Sequence, residues 1–229
     1  MKKIIFSMIV CCMTLVSSAQ ISFNVKAGVG ISSFLGSDPA ASVSISTGET
    51  HDLNFSIKEA WRIGVGMEYN FCKSWSFAPS LNFTAAGAQT EEFKVGYLVG
   101  GKLYTHEVDA TLYYIQVPLD LQWKTSISEI TTLGIYAGPY LGYGVGGKTK
   151  AKWAEFIPNI IQEENNNNSF GDKDGQAGFK HFDFGLNCGV NFDIDHYIVG
   201  ADFGFGLIKN HKESKGMNFT GMVTFGYRF

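Results

Sequence analysis

The chain reads as all-β: an eight-stranded antiparallel up-and-down transmembrane β-barrel with short turns at one end and long loops at the other. Three observations point there. Bulky apolar residues alternate with small or polar ones at period two, segment after segment. Glycine is abundant (27) and proline scarce (5), with aromatics at 14%. The connections between segments alternate in length. Strict alternation marks strands whose two faces meet different surroundings, and tight turns between neighbours favour a closed meander.

The first strand carries Phe23, Val25, Ala27, Val29 and Ile31 against Ser22, Asn24, Lys26, Gly28 and Gly30. The second sets Trp61, Ile63, Val65, Met67, Tyr69 and Phe71 against Arg62, Gly64, Gly66, Glu68 and Asn70. In the third, Trp75, Phe77, Pro79, Leu81 and Phe83 alternate with Ser76, Ala78, Ser80, Asn82 and Thr84. The fourth has Tyr113, Ile115, Val117, Leu119, Leu121 and Trp123 opposite Gln116, Asp120 and Gln122. The fifth sets Leu133, Ile135, Ala137, Leu141 and Tyr143 against Gly134, Tyr136, Gly138, Gly142 and Gly144. Phe182 to Phe192 and Tyr197 to Leu207 repeat the pattern, with Asp183 and Asp202 on the polar face. Val223, Phe225, Tyr227 and Phe229 close the set against Thr224, Gly226 and Arg228. Residues 72–74, 124–131 and 193–196 are tight connections, whereas 36–57, 86–112 and 148–178 are long. An even strand count leaves both termini at the tight-turn end.

Ahead of the first strand, Lys2 and Lys3 precede an apolar run at residues 4–16. Ser17, Ser18 and Ala19 then offer small residues for cleavage before Gln20. This is the layout of an export signal, and the run is too short to span a bilayer. Residues 1–19 are therefore expected to be removed, leaving 20–229 as one barrel domain. Of four cysteines, only Cys72 and Cys188 lie beyond the signal, and no disulfide framework is evident. The net charge is −3 and there is no basic run, which argues against nucleic acid as a partner.

Alternation alone does not say which face points outward. A soluble barrel with an apolar lumen would have to pack five or six large side chains per strand into the narrow interior that eight strands enclose. Its outer face would be mostly Gly, Ser, Asn and Ala with few charges, a poor solvent surface. Turned inside out, the bulky face meets lipid and the small polar face fills the lumen. Phe71, Trp75, Trp123, Phe192, Tyr197 and Phe229 then form an aromatic belt at the tight-turn end. Phe34, Trp61, Tyr113 and Tyr143 form a second belt near the other rim. In lipid every backbone group must be paired, which a closed barrel achieves. The last strand is thus needed to its final residue to close the ring. Its ending resembles the recognition signal of the bacterial outer-membrane insertion machinery, alternating apolar residues that finish on an aromatic. Val223, Phe225, Tyr227 and Phe229 are the matching positions.

Three internal stretches carry a more specific resemblance. YIQVPLDLQWK (residues 114–124), GIYAGPYLGYGVGGK (residues 134–148) and FDFGLNCGVNF (residues 182–192) resemble strands of the small outer-membrane β-barrel family of Bacteroidota, often called PorT-like. Gln116 replaces the family's commoner Glu, and Asp120 and Gln122 stand where it is often more apolar. The resemblance implies an eight-stranded barrel in the outer membrane, with lipid and the insertion machinery as partners. It implies no single reaction, and it links some members to protein secretion.

The inward face carries Lys26, Arg62 and Arg228 with Glu68, Asp120, Asp183 and Asp202, read as a lumen charge network in which buried charges pair. Pore lining or ligand binding is the alternative. The histidines at 51, 106, 181, 196 and 211 have no metal-site spacing and read as solvated loop residues. Asp172 and Asp174 in NNNNSFGDKDG lack the ligand spacing of a calcium loop. Trp153, Phe156, Ile157, Ile160 and Ile161 recur at helical spacing around Pro158. Gly100 and Gly101 suggest a hairpin turn, with the third and fourth strands rising above the membrane as a ribbon. Pro118 and Pro139 each remove a ladder donor, and a bulge is expected near either. The expected function is a non-enzymatic outer-membrane scaffold or interaction module, without catalytic, metal or cofactor residues, meeting a protein partner through its outer loops. A narrow channel or ligand-binding barrel comes second, and a lipid- or protein-modifying enzyme third.

Overall fold

In the computed structural model, residues 21–36, 38–44, 50–53, 55–90, 104–155, 160–166, 169–171, 178–210 and 216–229 are described. Residues 1–19, expected to be an export signal, lie outside them. The strands run in order as β1 (Ile21–Leu35), β2 (Asp38–Ser44), β3 (Thr50–Leu53), β4 (Phe55–Ser56), β5 (Lys58–Asn70) and β6 (Trp75–Thr90). They continue as β7 (Tyr104–Ser126), β8 (Thr131–Glu155), β9 (Ile160–Asn166), β10 (Phe182–Ile194), β11 (Tyr197–Lys209) and β12 (Met217–Arg228). Eight of them, β1, β5, β6, β7, β8, β10, β11 and β12, pair antiparallel with their neighbours in that order. The β1–β12 pairing, from Asn24↔Arg228 to Leu35↔Met217, closes the ring. Beyond the end of β12, Phe229 N–H still donates to Phe23 O at 2.8 Å. The remaining strands are crown elements at the long-loop end: β2 pairs with β3, β4 with β6, and β9 with β8.

The tight turns are held by short backbone bonds, such as Ile127 N–H to Thr131 O at 2.9 Å. In the β10–β11 turn Asp195 adopts a positive φ of 54°, a conformation that Asp tolerates better than most residues because its side chain bonds locally.

The apolar face points out. Phe23 is 58% exposed, Val29 64% and Phe225 60%, while Glu68 and Asn191 are 2% exposed. This inversion of the soluble pattern is what a lipid-facing wall requires. Phe34 departs from its expected place in the outer belt. It has the parity of Ser32 rather than Ile31, and its ring is buried at the mouth of the barrel.

The prolines do not introduce a bulge. Pairing lapses between Pro79↔Leu119 and Asn82↔Gln116, and again between Pro118↔Tyr140 and Leu121↔Ala137, then resumes in the same register. The missing donors are absorbed by these lapses. The register shift in β7–β8 lies elsewhere, where Tyr114 faces Gly144 but Tyr113 faces Gly146.

Two crown expectations extend beyond the described residues. Of the apolar residues spaced over 153–161, Phe156 and Ile157, with Pro158, lie outside the described residues. Trp153 lies in β8 opposite Gln162, and Ile160 and Ile161 lie in β9 opposite Glu155 and Ala154. The described part of this stretch is strand, in β8 and β9. The β6–β7 ribbon is paired as far as Gln89↔Asp109, and above that β7 continues along β8 up to Tyr104↔Glu155. The tall described ribbon is therefore β7–β8–β9, and Gly100 and Gly101 lie outside the described residues.

Candidate functional site

Alternation directs one side chain of every pair into the lumen, so the inward residues of eight strands stack in levels. At the tight-turn end Glu68 pairs with Lys124 and accepts from Arg228 Nη2 at 3.0 Å. Arg228 Nη2 also donates to Asp193 Oδ2 at 2.7 Å, and Lys124 Nζ lies 3.9 Å from the same oxygen. Above them Gln122 donates to Asn191 Oδ1 at 2.9 Å, and Asn191 donates to Asp193 Oδ1 at 2.5 Å. Two carboxylates and two cations thus balance across the opening. A wide polar recess of about 820 Å³ opens beneath them between the turns.

In the middle level Arg62 Nη1 donates to Asp202 Oδ1 at 2.6 Å and its Nε to Thr84 Oγ1 at 3.2 Å. Asp120 accepts from the Asn187 amide at 3.1 Å. Lys26 pairs with no carboxylate among the described residues, and its ammonium lies 5.6 Å from the centroid of the Tyr136 ring. Gly189 makes room for Tyr136, because a Cβ there would meet its ring carbon Cζ at 2.5 Å. A cavity of about 50 Å³ separates these groups, room for a few water molecules.

Higher up, Asp183 Oδ2 accepts from Tyr140 Oη at 3.1 Å and from Asn218 Nδ2 at 3.0 Å. The top level is apolar. Phe34, Ala88, Ala110, Leu112, Tyr114 and Phe170 form a buried cluster, with Phe179 packed against it. Phe170 comes from the segment between β9 and β10, and its ring meets Tyr114 edge-on at 5.5 Å. A Cβ at Gly144 would collide with the Phe170 ring, so this glycine is the seat that admits it. Gly171 (φ 102°) and Gly178 (φ 79°) let the chain dip in and return.

Of the seven inward charges expected from the sequence, the structure joins Arg62 to Asp202 and Arg228 to Glu68. Asp120 and Asp183 are instead held by amides and a phenol, and Lys26 rests near a ring. Lys124 and Asp193 were not expected in the lumen. Both lie at strand ends and read as turn residues, although Lys124 has the parity of Asp120 and Gln122. His181 is not simply a solvated loop residue: it stacks on Tyr143 at 5.2 Å and on Phe170 at 5.1 Å. His51 and His106 have no described side chains, and His211, Asp172 and Asp174 lie outside the described residues. Cys72 and Cys188 are both free thiols. Val223, Phe225, Tyr227 and Phe229 all face outward, and the Tyr227 ring meets Phe229 at 5.2 Å.

Residues 17–212 match the family described as outer membrane protein beta-barrel domain. Among solved structures, the chain is similar to Ail, the attachment invasion locus protein of Yersinia pestis, in complex with the heparin analogue sucrose octasulfate (15% identity, 92% of this chain and 99% of that chain, TM-score 0.39). It is also similar to Neisserial surface protein A (13%, 92% and 99%, TM-score 0.39) and to OprG from Pseudomonas aeruginosa (12%, 90% and 95%, TM-score 0.38). At such identity the likeness concerns architecture and no activity. No curated protein sequence matches the chain.

Proposed function

The chain belongs to the outer membrane protein beta-barrel domain family, and from that premise we propose that it is a non-enzymatic outer-membrane scaffold that engages a protein partner through its long-loop crown. The observation that carries this reading is the filled lumen. Among the described residues, an ion-paired floor, a middle level with space for a few waters and an apolar plug around Phe170 occupy the lumen at successive levels. Eight strands enclose an interior that side chains just fill, so transport would need the packing to be rebuilt. What remains available for work is the outside: a lipid-facing wall, and a crown in which β7, β8 and β9 rise as a paired ribbon. A ribbon edge offers unpaired backbone groups to which a partner can add a strand.

The finer parts of the reading rest on sequence resemblance. Membership of the PorT-like branch of Bacteroidota, with a secretion- or envelope-related role, is supported by the three quoted strands. Removal of residues 1–19 on export is supported by their charge and apolar pattern, and handling by the insertion machinery by Val223, Phe225, Tyr227 and Phe229.

The test is electrical. Purified protein in planar bilayers is expected to show no steady conductance of porin size, while crosslinking on intact cells captures a protein at the crown. Large, reproducible single-channel steps whose ion selectivity changes in Asp120→Ala would favour the channel reading instead. The Lys26 ammonium, without a carboxylate partner among the described residues and beside a small cavity, is the feature that would then matter.

A further inference from the structure

The register shift in β8 changes which way its lysines face. Up to Gly144 the even-numbered residues of β8 point into the lumen, as Tyr136 and Tyr140 do. Tyr114 pairs with Gly144 and Tyr113 with Gly146, so one residue of β8 is extra. A bulge of this kind reverses the parity of everything beyond it. Gly147 is accordingly buried, whereas Lys148 and Lys150 are exposed. By register Lys148 lies opposite Thr111, Lys150 opposite Asp109 and Lys152 opposite Glu107.

At the foot of this row the described side chains of Lys58, Lys148 and Lys150 stand against one acid, Asp109. The Asp109 carboxylate is already held by Lys58. Burial, and then the nearby charge of Lys150, push the Lys58 ammonium below its usual pKa. Among the described residues neither Lys148 nor Lys150 forms an ion pair. Directly below, on the same outward face of β8, Leu141, Tyr143 and Val145 are exposed apolar residues. Lys148 is three residues beyond Val145, about 10 Å at strand rise, which carries its ammonium from the hydrocarbon edge into the head-group layer.

We propose that Lys148 and Lys150 bind the phosphate of an outer-leaflet lipid whose acyl chain lies along Leu141, Tyr143 and Val145. The juxtaposition selects an amphiphile, because a soluble anion would have no use for the apolar strip beneath the charges. Two flexible ammonium groups suit a phosphate as point charges. Each lysine at an anionic membrane surface contributes about a factor of five in affinity, so the pair gives about twenty-five-fold. This site does not depend on whether the crown recruits a protein.

The test uses the full-length protein refolded in neutral detergent, with hexa-acylated, bis-phosphorylated lipid A as probe and phosphatidylcholine as reference. Native mass spectrometry counts the lipid retained. Wild type is expected to retain lipid A over phosphatidylcholine, and Lys148→Gln/Lys150→Gln to lose about twenty-five-fold in apparent affinity at low salt. Lys73→Gln, at a tight turn on the opposite end, should match wild type. Heat-modifiable mobility on gels verifies that each variant is folded. Equal retention by the double variant, or equal retention of dephosphorylated lipid A, would overturn the proposal. So would lysine-dependent binding of soluble inositol hexaphosphate that is tighter than binding of lipid A, since that outcome assigns the row to a soluble polyanion.

Discussion

Phe170 shows how much one residue contributes to closing the lumen. Its ring is 2% exposed, seated on Gly144 and edge-on to Tyr114. Phe170→Ala removes that ring from a packed cluster, and large-to-small changes of this kind cost about 3–5 kcal/mol. Urea unfolding of the refolded protein should show the loss, and limited proteolysis should find new cutting near residues 169–179. Gly144→Leu, which fills the seat instead, should give the same proteolytic pattern. A loss under about 0.5 kcal/mol, the size of an ordinary surface substitution, would mean that the ring is not packed as described. The sequence did not single out Phe170. It sits in a polar stretch with no periodicity, and only the paired approach of Ser169–Gly171 to Phe179 brings it over the mouth.

At the scale of elements, β12 is both the last strand and the one that closes the ring. Phe229 is 72% exposed and contributes one backbone bond to β1, from its N–H to Phe23 O. Deleting it therefore removes about 0.5–1.5 kcal/mol from the folded state, which a ring paired on every side can survive. If the terminal ring also serves as an insertion signal, the deletion should sharply lower the heat-modifiable form in outer membranes. The same variant should still close when refolded from urea into detergent. Normal outer-membrane levels would refute the signal reading, and failure to refold in detergent would show that Phe229 is chiefly structural. The β8 strand makes a different point about elements. Its alternation was legible as far as Tyr143, but the parity of Lys148 and Lys150 depends on one extra residue between glycines, where no side-chain pattern marks the bulge.

For the whole molecule the consequence of alternating connection lengths is a fixed orientation. The three tight turns, Ile21 and Phe229 share one end, while β2–β3, β4 and β9 crown the other. Cysteine placed at Asn165 should react with an impermeant maleimide on intact cells, whereas cysteine at Ser74 or Ser126 should react after the outer membrane is permeabilised. The background from native Cys72, which is exposed at a tight turn, should follow the second pattern. Labelling of Ser74→Cys but not Asn165→Cys on intact cells would reverse the assignment.

The sequence by itself determined the strand count, the closed ring and the inside-out polarity. Those follow from local rules: side chains alternate with period two, and lipid tolerates no unpaired backbone. It also placed Arg62, Asp202, Glu68 and Arg228 on the inner face, because parity along a single strand is a local property. Which inward groups meet was decided by the tertiary structure, since strand stagger sets the height at which each arrives. Arg228 reaches Glu68 across β1 and Asp193 across β11, while Asp183, on the same inner face, is held by the Tyr140 hydroxyl and the Asn218 amide. The plug belongs to the same class. An apolar cluster drawn from β1, β6, β7 and an irregular segment has no period in the sequence, because it is assembled only when the barrel closes and brings its mouth to a single point.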